Sequence, residues 1–183
     1  KHQKYKVLLF TSHEEEKDII LRLIKELFNY NASVRERKLG FEKKINYEIY
    51  ISSRKLAEFL VNEIEIPSGA KSLTIRIPLF IINSKPSKIW SFIRGVIDGD
   101  GSIIKTDKSY GLKVPSGSKD FIYDFNNLMV NLGFNSGKIS QERVNLWLLR
   151  FNKKEDIRNM YSLVYKNREY FYERKEKIWK QYI

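Results

Sequence analysis

Two aspartates stand among three glycines in the segment FIRGVIDGDGSII, residues 92–104. Asp98 and Asp100 end an apolar run, in a chain that is otherwise strongly basic. Carboxylates are the ligands that hard divalent cations such as Mg²⁺ prefer, and a bound cation offsets the repulsion between acids and phosphates. Asp-Gly is also common turn chemistry, and the tetrapeptide DGDG alone favours that simpler role. The elements around these residues decide between the two.

The element that must position these acids is a helix predicted over residues 87–100. Its apolar residues form one stripe: Ile89, Phe92, Ile93, Val96 and Ile97. Gly95 and Gly99 lie one turn apart, and small residues let two helix backbones approach closely, although a glycine inside a helix costs roughly 1 kcal/mol. Asp100 emerges at the foot of the stripe, and Gly101 then frees the backbone to turn into a strand.

The chain repeats one pattern of elements. The segment KDIILRLIKELFNY, from Lys17, resembles KDFIYDFNNLMVNL, from Lys119, and both have the apolar spacing of amphipathic helices. Each is followed by two short extended segments and another helix. The extended segments are predicted at residues 33–39 and 45–51 in the first copy and at 137–142 and 144–151 in the second. Two helix starts carry capping-box spacing: Ser12 with Glu15, and Asn152 with Glu155.

The second copy is the more complete one. The helix over 87–100 and two strands, at about 102–107 and 110–115, precede its Lys119 helix. The first copy starts only at the strand KYKVLLFTS. We therefore predict an α+β fold, a pseudo-twofold repeat of αββαββα units with two antiparallel sheets, in which the first repeat lacks its opening helix and strand. The predicted domains are residues 1–86, the incomplete first repeat with its linker, and 87–183, the second repeat with a C-terminal helix.

The composition restricts the class of protein. Its 183 residues carry 34 Lys and Arg against 22 Asp and Glu, a net charge of +12, which favours nucleic acid as a partner over a membrane surface. A solvated basic surface is the simpler alternative. The absence of cysteine excludes disulfides and thiolate metal sites, and two separated histidines disfavour zinc. No apolar run reaches the roughly 18 residues of a membrane span and no secretory signal is visible, so we expect a cytoplasmic protein.

At its motif the chain resembles the LAGLIDADG homing endonucleases. The segment IRGVIDGDG, residues 93–101, looks like the motif that names this family. Five residues match it: Gly95, Ile97, Asp98, Asp100 and Gly101. Val96 and Gly99 are mild substitutions, and Arg94 is a larger one at a position expected on the outer side of the helix. The segment GAKSLTIRIP also resembles the linker before the second motif in two-repeat and intein-associated members.

The resemblance implies a fold and a site. In the family two motif helices pack side by side, the acid at each helix foot binds a divalent metal, and each sheet forms half of a saddle over the DNA major groove. Carried over, Asp100 is a catalytic ligand of Mg²⁺ or Mn²⁺, assisted by the Gly101 carbonyl. A place at the helix interface is implied for Gly95, Gly99 and Asp98, the last also as a capping residue. Lys71 and Lys175 match the catalytic lysines of the family, with a solvated lysine as the alternative for both.

Strand alternation places the basic residues on the sheets. The segment NYEIYIS alternates Tyr47, Ile49 and Ile51 inward against Asn46, Glu48 and Tyr50 outward. The same parity predicts seven outward side chains: Arg35, Arg37, Thr106, Lys113, Lys138, Ser140 and Arg150. A two-stranded ribbon fits the major groove, where Arg and Lys read guanine edges, so we predict these seven as DNA contacts. The alternative is a set of solubilising edge charges.

Three functions remain open at this point. The leading one is a sequence-specific, divalent-metal-dependent homing endonuclease that hydrolyses phosphodiesters of double-stranded DNA. The alternative is a non-cleaving nucleic-acid-binding protein on the same scaffold, an RNA maturase or a DNA-binding regulator, because the sequence holds one motif and not two. An intein is disfavoured, since no N-terminal Cys or C-terminal His-Asn is present. The second motif helix is expected from residues upstream of Lys1 or from a partner chain, unless that first site is lost.

Overall fold

The protein folds into two compact units, Lys1–Glu65 and Ile66–Ile183. A computed structural model describes residues 6–11, 13–38, 45–69, 71–105, 110–166 and 169–183. Each unit contains one antiparallel sheet and helices that pack on one of its faces. The predicted α+β fold with two antiparallel sheets is therefore confirmed. None of the helices in these ranges combines the length and the apolar character that crossing a membrane requires.

The first unit is built on a three-stranded sheet. Its elements are β1 (Val7–Thr11), α1 (Glu14–Phe28), β2 (Ser33–Lys38), β3 (Ile45–Ile51) and α2 (Arg54–Asn62). Strand β3 is central and pairs antiparallel with β1 and β2. The buried core of this unit is small and consists of Ile24, Ile49, Ile51 and Leu56. The inward parity predicted for β3 is confirmed, because Tyr47 is buried as well.

The helix ends of the first unit follow local signals. Three glutamates in the first turn of α1 complement the helix dipole, and Asn29 ends the helix in the left-handed region with φ 47°. The Ser53 hydroxyl accepts a hydrogen bond from the Leu56 amide and caps α2. Ser12, the predicted capping residue of α1, lies outside the described residues. Phe59 of α2 is 42% exposed and lies outside the core of this unit.

The second unit carries a four-stranded sheet. Its elements are a 3-10 helix (Lys71–Leu73), α3 (Leu79–Ile82), α4 (Pro86–Gly99), β4 (Ser102–Lys105), β5 (Tyr110–Ser116), α5 (Lys119–Asn131), β6 (Lys138–Arg143), β7 (Leu146–Phe151), α6 (Lys154–Val164) and α7 (Glu173–Lys180). The strand order is β4-β5-β7-β6, all antiparallel. Helices α5 and α6 pack on the sheet, α4 packs on α6, and α7 packs near β4.

One large core holds the second unit together. The inward parity of β5 and β7 is confirmed, because these side chains are almost fully buried: Leu112, Val114, Leu149 and Phe151. From α5 the core takes Ile122, Phe125 and Met129 on one stripe, as the amphipathic spacing predicts. The Ser118 hydroxyl caps α5 by accepting from the Phe121 amide. Lys153 and not Asn152 is the N-cap residue of α6, and its side chain makes no cap hydrogen bond, so the predicted capping box is wrong there.

The linker belongs to the second unit. The Arg76 guanidinium forms a two-point ion pair with the Asp124 carboxylate on α5, with contacts of 2.7 and 3.0 Å. Ile77 is 3% exposed and lies in the large core. The compact units therefore divide between Glu65 and Ile66, earlier than the predicted domain boundary at residue 86. Ile75, Ile81 and Ile82 of the linker also pack against this core, whereas Leu73, Leu79 and Phe80 are exposed.

Candidate metal centre and nucleic-acid interface

Helix α4 has one buried face and one open face. Ile89, Ile93 and Ile97 point into the core with exposures of 6% or less. Gly95 and Gly99 are exposed on the other side, and within the part of the chain that the structure describes no atom lies within 4 Å of a Cβ built on either glycine. The two glycines therefore leave a flat strip along α4. Their predicted role at a helix interface stays a prediction.

The two aspartates of the motif face different environments. Asp100 is the exposed C-cap residue of α4, and its amide donates to the Val96 carbonyl at 3.0 Å. Asp98 is only 4% exposed. Its carboxylate accepts one hydrogen bond from the Tyr165 hydroxyl at 2.7 Å and one from the Tyr172 amide at 3.0 Å. Asp98 thus lies against the chain after α6 and not on the face of Gly95 and Gly99, where the helix-interface prediction had placed it.

Burial raises the pKa of the Asp98 carboxyl, while the hydrogen bonds from Tyr172 and Tyr165 and the positive charges of Arg94 and Lys175 partly offset that rise. The pKa of the Tyr165 hydroxyl is also raised, first by burial and then by the neighbouring carboxylate. The hydroxyl therefore stays a hydrogen-bond donor. Both donors are needed for stability, because a buried carboxylate that loses a hydrogen-bond donor keeps the cost of its desolvation without compensation.

Arg94 is buried, so its predicted place on the outer side of the helix is wrong. It is 8% exposed, and its Nη1 donates to the Val164 carbonyl at 3.1 Å. Val164 is the last residue of α6, and a cation at a helix C-terminus is favourable because the last carbonyls lack partners inside the helix. Arg94 therefore ties α4 to the end of α6. The sequence feature that could have indicated this contact is the long basic side chain of Arg94 at a motif position where the family has a small residue.

Of the two predicted lysines, one reaches the foot of α4, the C-terminal end of the helix with Asp100 and Gly101. Lys175, in the first turn of α7, donates from Nζ to the Gly101 carbonyl oxygen. Lys71 is exposed in its 3-10 helix, where the neighbouring Ser72 carbonyl lies close to Gly117. Among the described residues no hydrogen bond or ion pair joins Lys71 to Asp100. The structure thus brings Lys175 to the carbonyl of the residue that follows Asp100, while the catalytic role of either lysine stays a prediction.

The backbone of Gly101 packs closely against the backbone of Ile97. A Cβ added there would lie 2.7 Å from both the Cα and the carbonyl oxygen of Ile97. These are backbone atoms, so an added methyl group requires a shift of the strand that follows. Beside Gly101 lies a cavity of about 100 Å³ whose walls include Ser102, Lys175 and Trp179. Glycine at position 101 therefore permits the turn from α4 into β4.

We expect Gly101→Ala to destabilise the protein by about 1–3 kcal/mol, because the methyl group must push α4 and β4 apart. Gly99→Ala is the matched control two residues away. Its Cβ meets no described atom within 4 Å, so it should stabilise the helix by about 0.5–1 kcal/mol. Urea unfolding of both variants measures the difference. Equal midpoints for Gly101→Ala and the parent would show that β4 shifts freely and that the turn imposes no constraint.

A row of polar and basic residues crosses the outer face of the second sheet. In register, Ser102 of β4 lies opposite Lys113 of β5, Lys113 opposite Arg150 of β7, and Arg150 opposite Lys138 of β6. The Arg150 guanidinium is held by the Glu142 carboxylate at 2.9 Å, which also accepts from the Ser140 hydroxyl at 3.2 Å. The predicted outward parity is therefore confirmed for Lys113, Lys138, Ser140 and Arg150. Their contact with DNA stays a prediction.

The outer face of the first sheet is less basic than predicted. Arg37 forms an ion pair with Glu48 at 2.7 Å, and Arg35 lies over the Tyr50 ring at 5.9 Å. Glu48 takes the outward position that strand alternation predicts, yet it is only 8% exposed. It faces outward but is covered, because Arg35 lies opposite it in register and Arg37 pairs with it. Thr106, the remaining predicted contact, lies outside the described residues.

The donors at the foot of α4 fit a hard divalent cation. Asp100 offers an exposed carboxylate, and Gly101 offers a carbonyl with two lone pairs, one of which accepts from Lys175. Mg²⁺ usually keeps several waters and binds one or two carboxylates together with substrate phosphates. Within the described ranges no three His, Cys, Asp or Glu side chains are grouped to hold a metal. The foot therefore fits a cation that takes its other ligands from phosphate, water or a second acid.

Comparison with known proteins places the second unit in one family. Residues 87–178, half of the chain, match the family model described as a LAGLIDADG-like domain. An uncharacterised protein of Methanocaldococcus jannaschii is 33% identical over 95 residues, which cover 52% of this chain and 33% of that protein. The probable cell division protein WhiA of Clostridium beijerinckii is 28% identical over 150 residues, 80% of this chain and 47% of that protein. The chain thus spans between a third and a half of the relatives it matches.

Two solved structures share the fold. The homing endonuclease I-WcaI, solved bound to its DNA recognition sequence, matches with a TM-score of 0.67 and 17% identity over 97% of this chain and 76% of that chain. I-DmoI, solved in complex with DNA and Mn, matches with a TM-score of 0.59 and 18% identity over 87% of this chain and 81% of that chain.

Proposed function

The chain belongs to the family of LAGLIDADG-like domains, and from that premise we propose that it is a sequence-specific, divalent-metal-dependent homing endonuclease that hydrolyses double-stranded DNA. The observation that carries the proposal is the foot of α4. There the exposed Asp100 carboxylate lies next to Gly101, whose carbonyl accepts from Lys175, beside a sheet with a basic outer row. An acid that can hold a divalent cation next to a row of basic residues suits metal-assisted phosphodiester cleavage.

The outer row of the second sheet binds the DNA backbone and the major groove. Lys113, Arg150 and Lys138 lie side by side on three neighbouring strands, and Ser102 continues the row on β4. Phosphate neutralisation by such cations supplies most of the affinity, and the same side chains reach guanine edges when the ribbon enters the groove. Arg35 and Arg37 are the proposed contacts on the first sheet, where Arg37 forms an ion pair with Glu48.

Asp100 and the Gly101 carbonyl hold the metal, and Lys175 serves the phosphate. A divalent cation such as Mg²⁺ or Mn²⁺ held by these two groups would supply an activated water and stabilise the leaving oxygen. The ammonium of Lys175 stands beside this position and favours the negative charge that develops on the phosphate, because a fixed cation in a partly water-excluded site interacts strongly. The structure of I-DmoI with DNA and Mn supports the choice of metal.

A second acid completes the site. Two-metal cleavage of a duplex needs a further carboxylate, and the flat strip of Gly95 and Gly99 offers a second motif helix a close approach. Lys71 serves the matching position of the incomplete first repeat. These assignments follow the family pattern and are tested by cleavage.

One observation favours a second function, a nucleic-acid-binding protein that does not cleave, as an RNA maturase or a DNA-binding regulator. The longest sequence match among the relatives described above, over 80% of the chain, is to a protein named for cell division and not for nuclease activity. The sequence also holds a single complete motif. On this scaffold the same basic row serves binding alone.

A pool of randomised duplex DNA, offered to the full-length protein, tests the two functions. Duplexes retained in Ca²⁺ or EDTA are enriched and then incubated with Mg²⁺. The endonuclease produces double-strand breaks at one position of the enriched site. Tight specific binding without breaks favours the binder, and preferential retention of structured RNA in a parallel pool favours the maturase.

Binding should depend strongly on salt, because each neutralised phosphate releases counterions. We expect the logarithm of the association constant to fall against the logarithm of salt concentration with a slope of about −0.9 per contacted phosphate of duplex DNA. Fluorescence anisotropy at KCl concentrations from about 50 to about 200 mM measures the slope. A flat response would contradict every function argued here, since all of them use the +12 charge for a polyanion.

A further inference from the structure

The end of α4 and the start of α7 are joined at two points one turn apart. Asp98 accepts from the amide of Tyr172, the N-cap residue of α7. Three residues further along each segment, the Gly101 carbonyl accepts from the Lys175 ammonium. The two contacts enclose two four-residue segments, residues 98–101 and 172–175. The position of the first contact therefore sets the position of the second.

The contact at Asp98 is stabilised by burial and by a second hydrogen-bond donor. Its carboxylate is 4% exposed and is held by a second donor, the Tyr165 hydroxyl at 2.7 Å. It also lies at the N-terminus of α7, where a negative charge complements the helix dipole. The amide of Lys175 donates to the Tyr172 carbonyl at 2.9 Å, so the residue that Asp98 holds is part of the same turn as Lys175.

We propose that Asp98 is a positioning residue, which holds the start of α7 against the end of α4 and thereby places the ammonium of Lys175 beside the foot that carries Asp100. The proposal rests on the proposed function as far as Lys175 serves cleavage. It assigns separate tasks to the two acids of the motif. Asp100 binds the metal, and Asp98 arranges the lysine.

Other contacts attach α7 to α6 and do not involve Asp98. The Tyr161 hydroxyl donates to the Glu176 carboxylate, and Trp179, 1% exposed, packs edge-on against Tyr161 and Tyr165 with ring centroids 5.8 Å apart in both cases. Loss of the Asp98 carboxylate therefore leaves α7 on the unit but frees its first turn. What changes is the placement of Lys175 and not the presence of the helix.

The test is a double-mutant cycle in the full-length protein, with the single-turnover cleavage rate and the DNA dissociation constant as readouts. Asp98→Ala and Lys175→Met should each lower the rate by about 100-fold, the loss that a misplacement of 1 Å can cause. The double variant should lose no more than Lys175→Met alone, because Asp98 acts through Lys175. The dissociation constant should change far less than the cleavage rate, since the basic row, which supplies most of the affinity, is untouched.

Asp156→Ala is the matched control. Asp156 is 7% exposed, and its carboxylate likewise accepts two hydrogen bonds, from the amide and the side chain of Asn135 at 3.2 and 2.9 Å. It lies in the first turn of α6, at the end remote in sequence from Tyr165. Its effect on the rate should be small and should multiply with that of Lys175→Met. Multiplicative effects for Asp98→Ala would overturn the proposal.

Hydrogen exchange of the α7 amides provides a readout that does not need cleavage. Asp98→Ala should accelerate exchange at residues 173–176 by tenfold or more relative to β5 and β7, on the order expected for local opening, and Asp156→Ala should not. If the protein cleaves no DNA, this comparison still decides whether Asp98 places α7. Unchanged exchange at α7 sinks the proposal. If Asp98→Ala does not fold, Asp98→Asn, which keeps one acceptor oxygen, must accelerate exchange at residues 173–176 relative to the parent and to Asp156→Ala for the proposal to stand.

Discussion

Asp100→Asn is expected to lower cleavage of the selected site by orders of magnitude, while binding to DNA without metal persists or tightens. The amide keeps the shape of the side chain but removes the charge that holds the cation. It also removes one repulsion with the phosphate, which favours binding when no metal is present. Because Asp100 is exposed at the end of α4, the fold should not suffer. Single-turnover cleavage in Mg²⁺ and anisotropy in EDTA measure the two effects.

The experiment needs the full-length protein with its second acid, since Asp100 alone supplies half of the ligands that two-metal chemistry uses. Asp120→Asn, another exposed aspartate of the second unit, controls for the loss of one negative charge. It should leave the cleavage rate unchanged. Cleavage that survives Asp100→Asn in Mg²⁺ would remove the metal assignment, and the other assignments at the foot of α4 would lose their centre.

The second large effect is expected at Arg150. Its guanidinium is held at 2.9 Å by Glu142, and an oriented arginine is suited to two-point contact with a guanine edge. Arg150→Ala should therefore relax the preference at one base pair by about 1–3 kcal/mol. Lys138, opposite it in register and exposed, is expected to bind phosphate. Lys138→Ala should weaken all sequences evenly and reduce the salt slope by about one.

Binding to the selected site and to its single-base variants measures both changes. Glu142→Ala provides a matched control, because it releases the guanidinium without removing its charge. It should lower discrimination while the salt slope stays as in the parent. An even loss across all sequences for Arg150→Ala would make this residue a phosphate contact and would move base recognition to another strand.

The parts of the fold that the sequence predicts are those with a local signal. Alternation along β5 and β7 identifies Leu112, Val114 and Leu149 as inward residues, and each is buried. The two charged residues whose burial the sequence does not predict are covered by partners that it cannot indicate. Arg94 donates to the carbonyl of Val164, 70 residues away, and Glu48 forms an ion pair with Arg37 on the neighbouring strand. Periodicity describes which face a side chain takes and not what covers that face.

The site shows the same division. The resemblance of the motif to the family predicts Asp100 and Gly101 as metal ligands without any structure, whereas residue type alone would favour a simple turn. The role of Asp98 depends on Tyr165 and Tyr172, which lie 67 and 74 residues further along the chain. No pattern near the motif points to them. The placement of Lys175 at the Gly101 carbonyl follows from the same long-range packing.

The attachment of the linker to the second unit has a consequence for exchanging repeats between proteins. A recombination point at Pro86, where the motif helix begins, would separate Arg76 from Asp124 and remove Ile77 from the core. The severed half would expose an apolar surface and leave a carboxylate without its cation. A crossover just before Ile66 keeps these contacts within one inherited segment. Chimaeras joined there should express and fold, whereas those joined at the motif should aggregate.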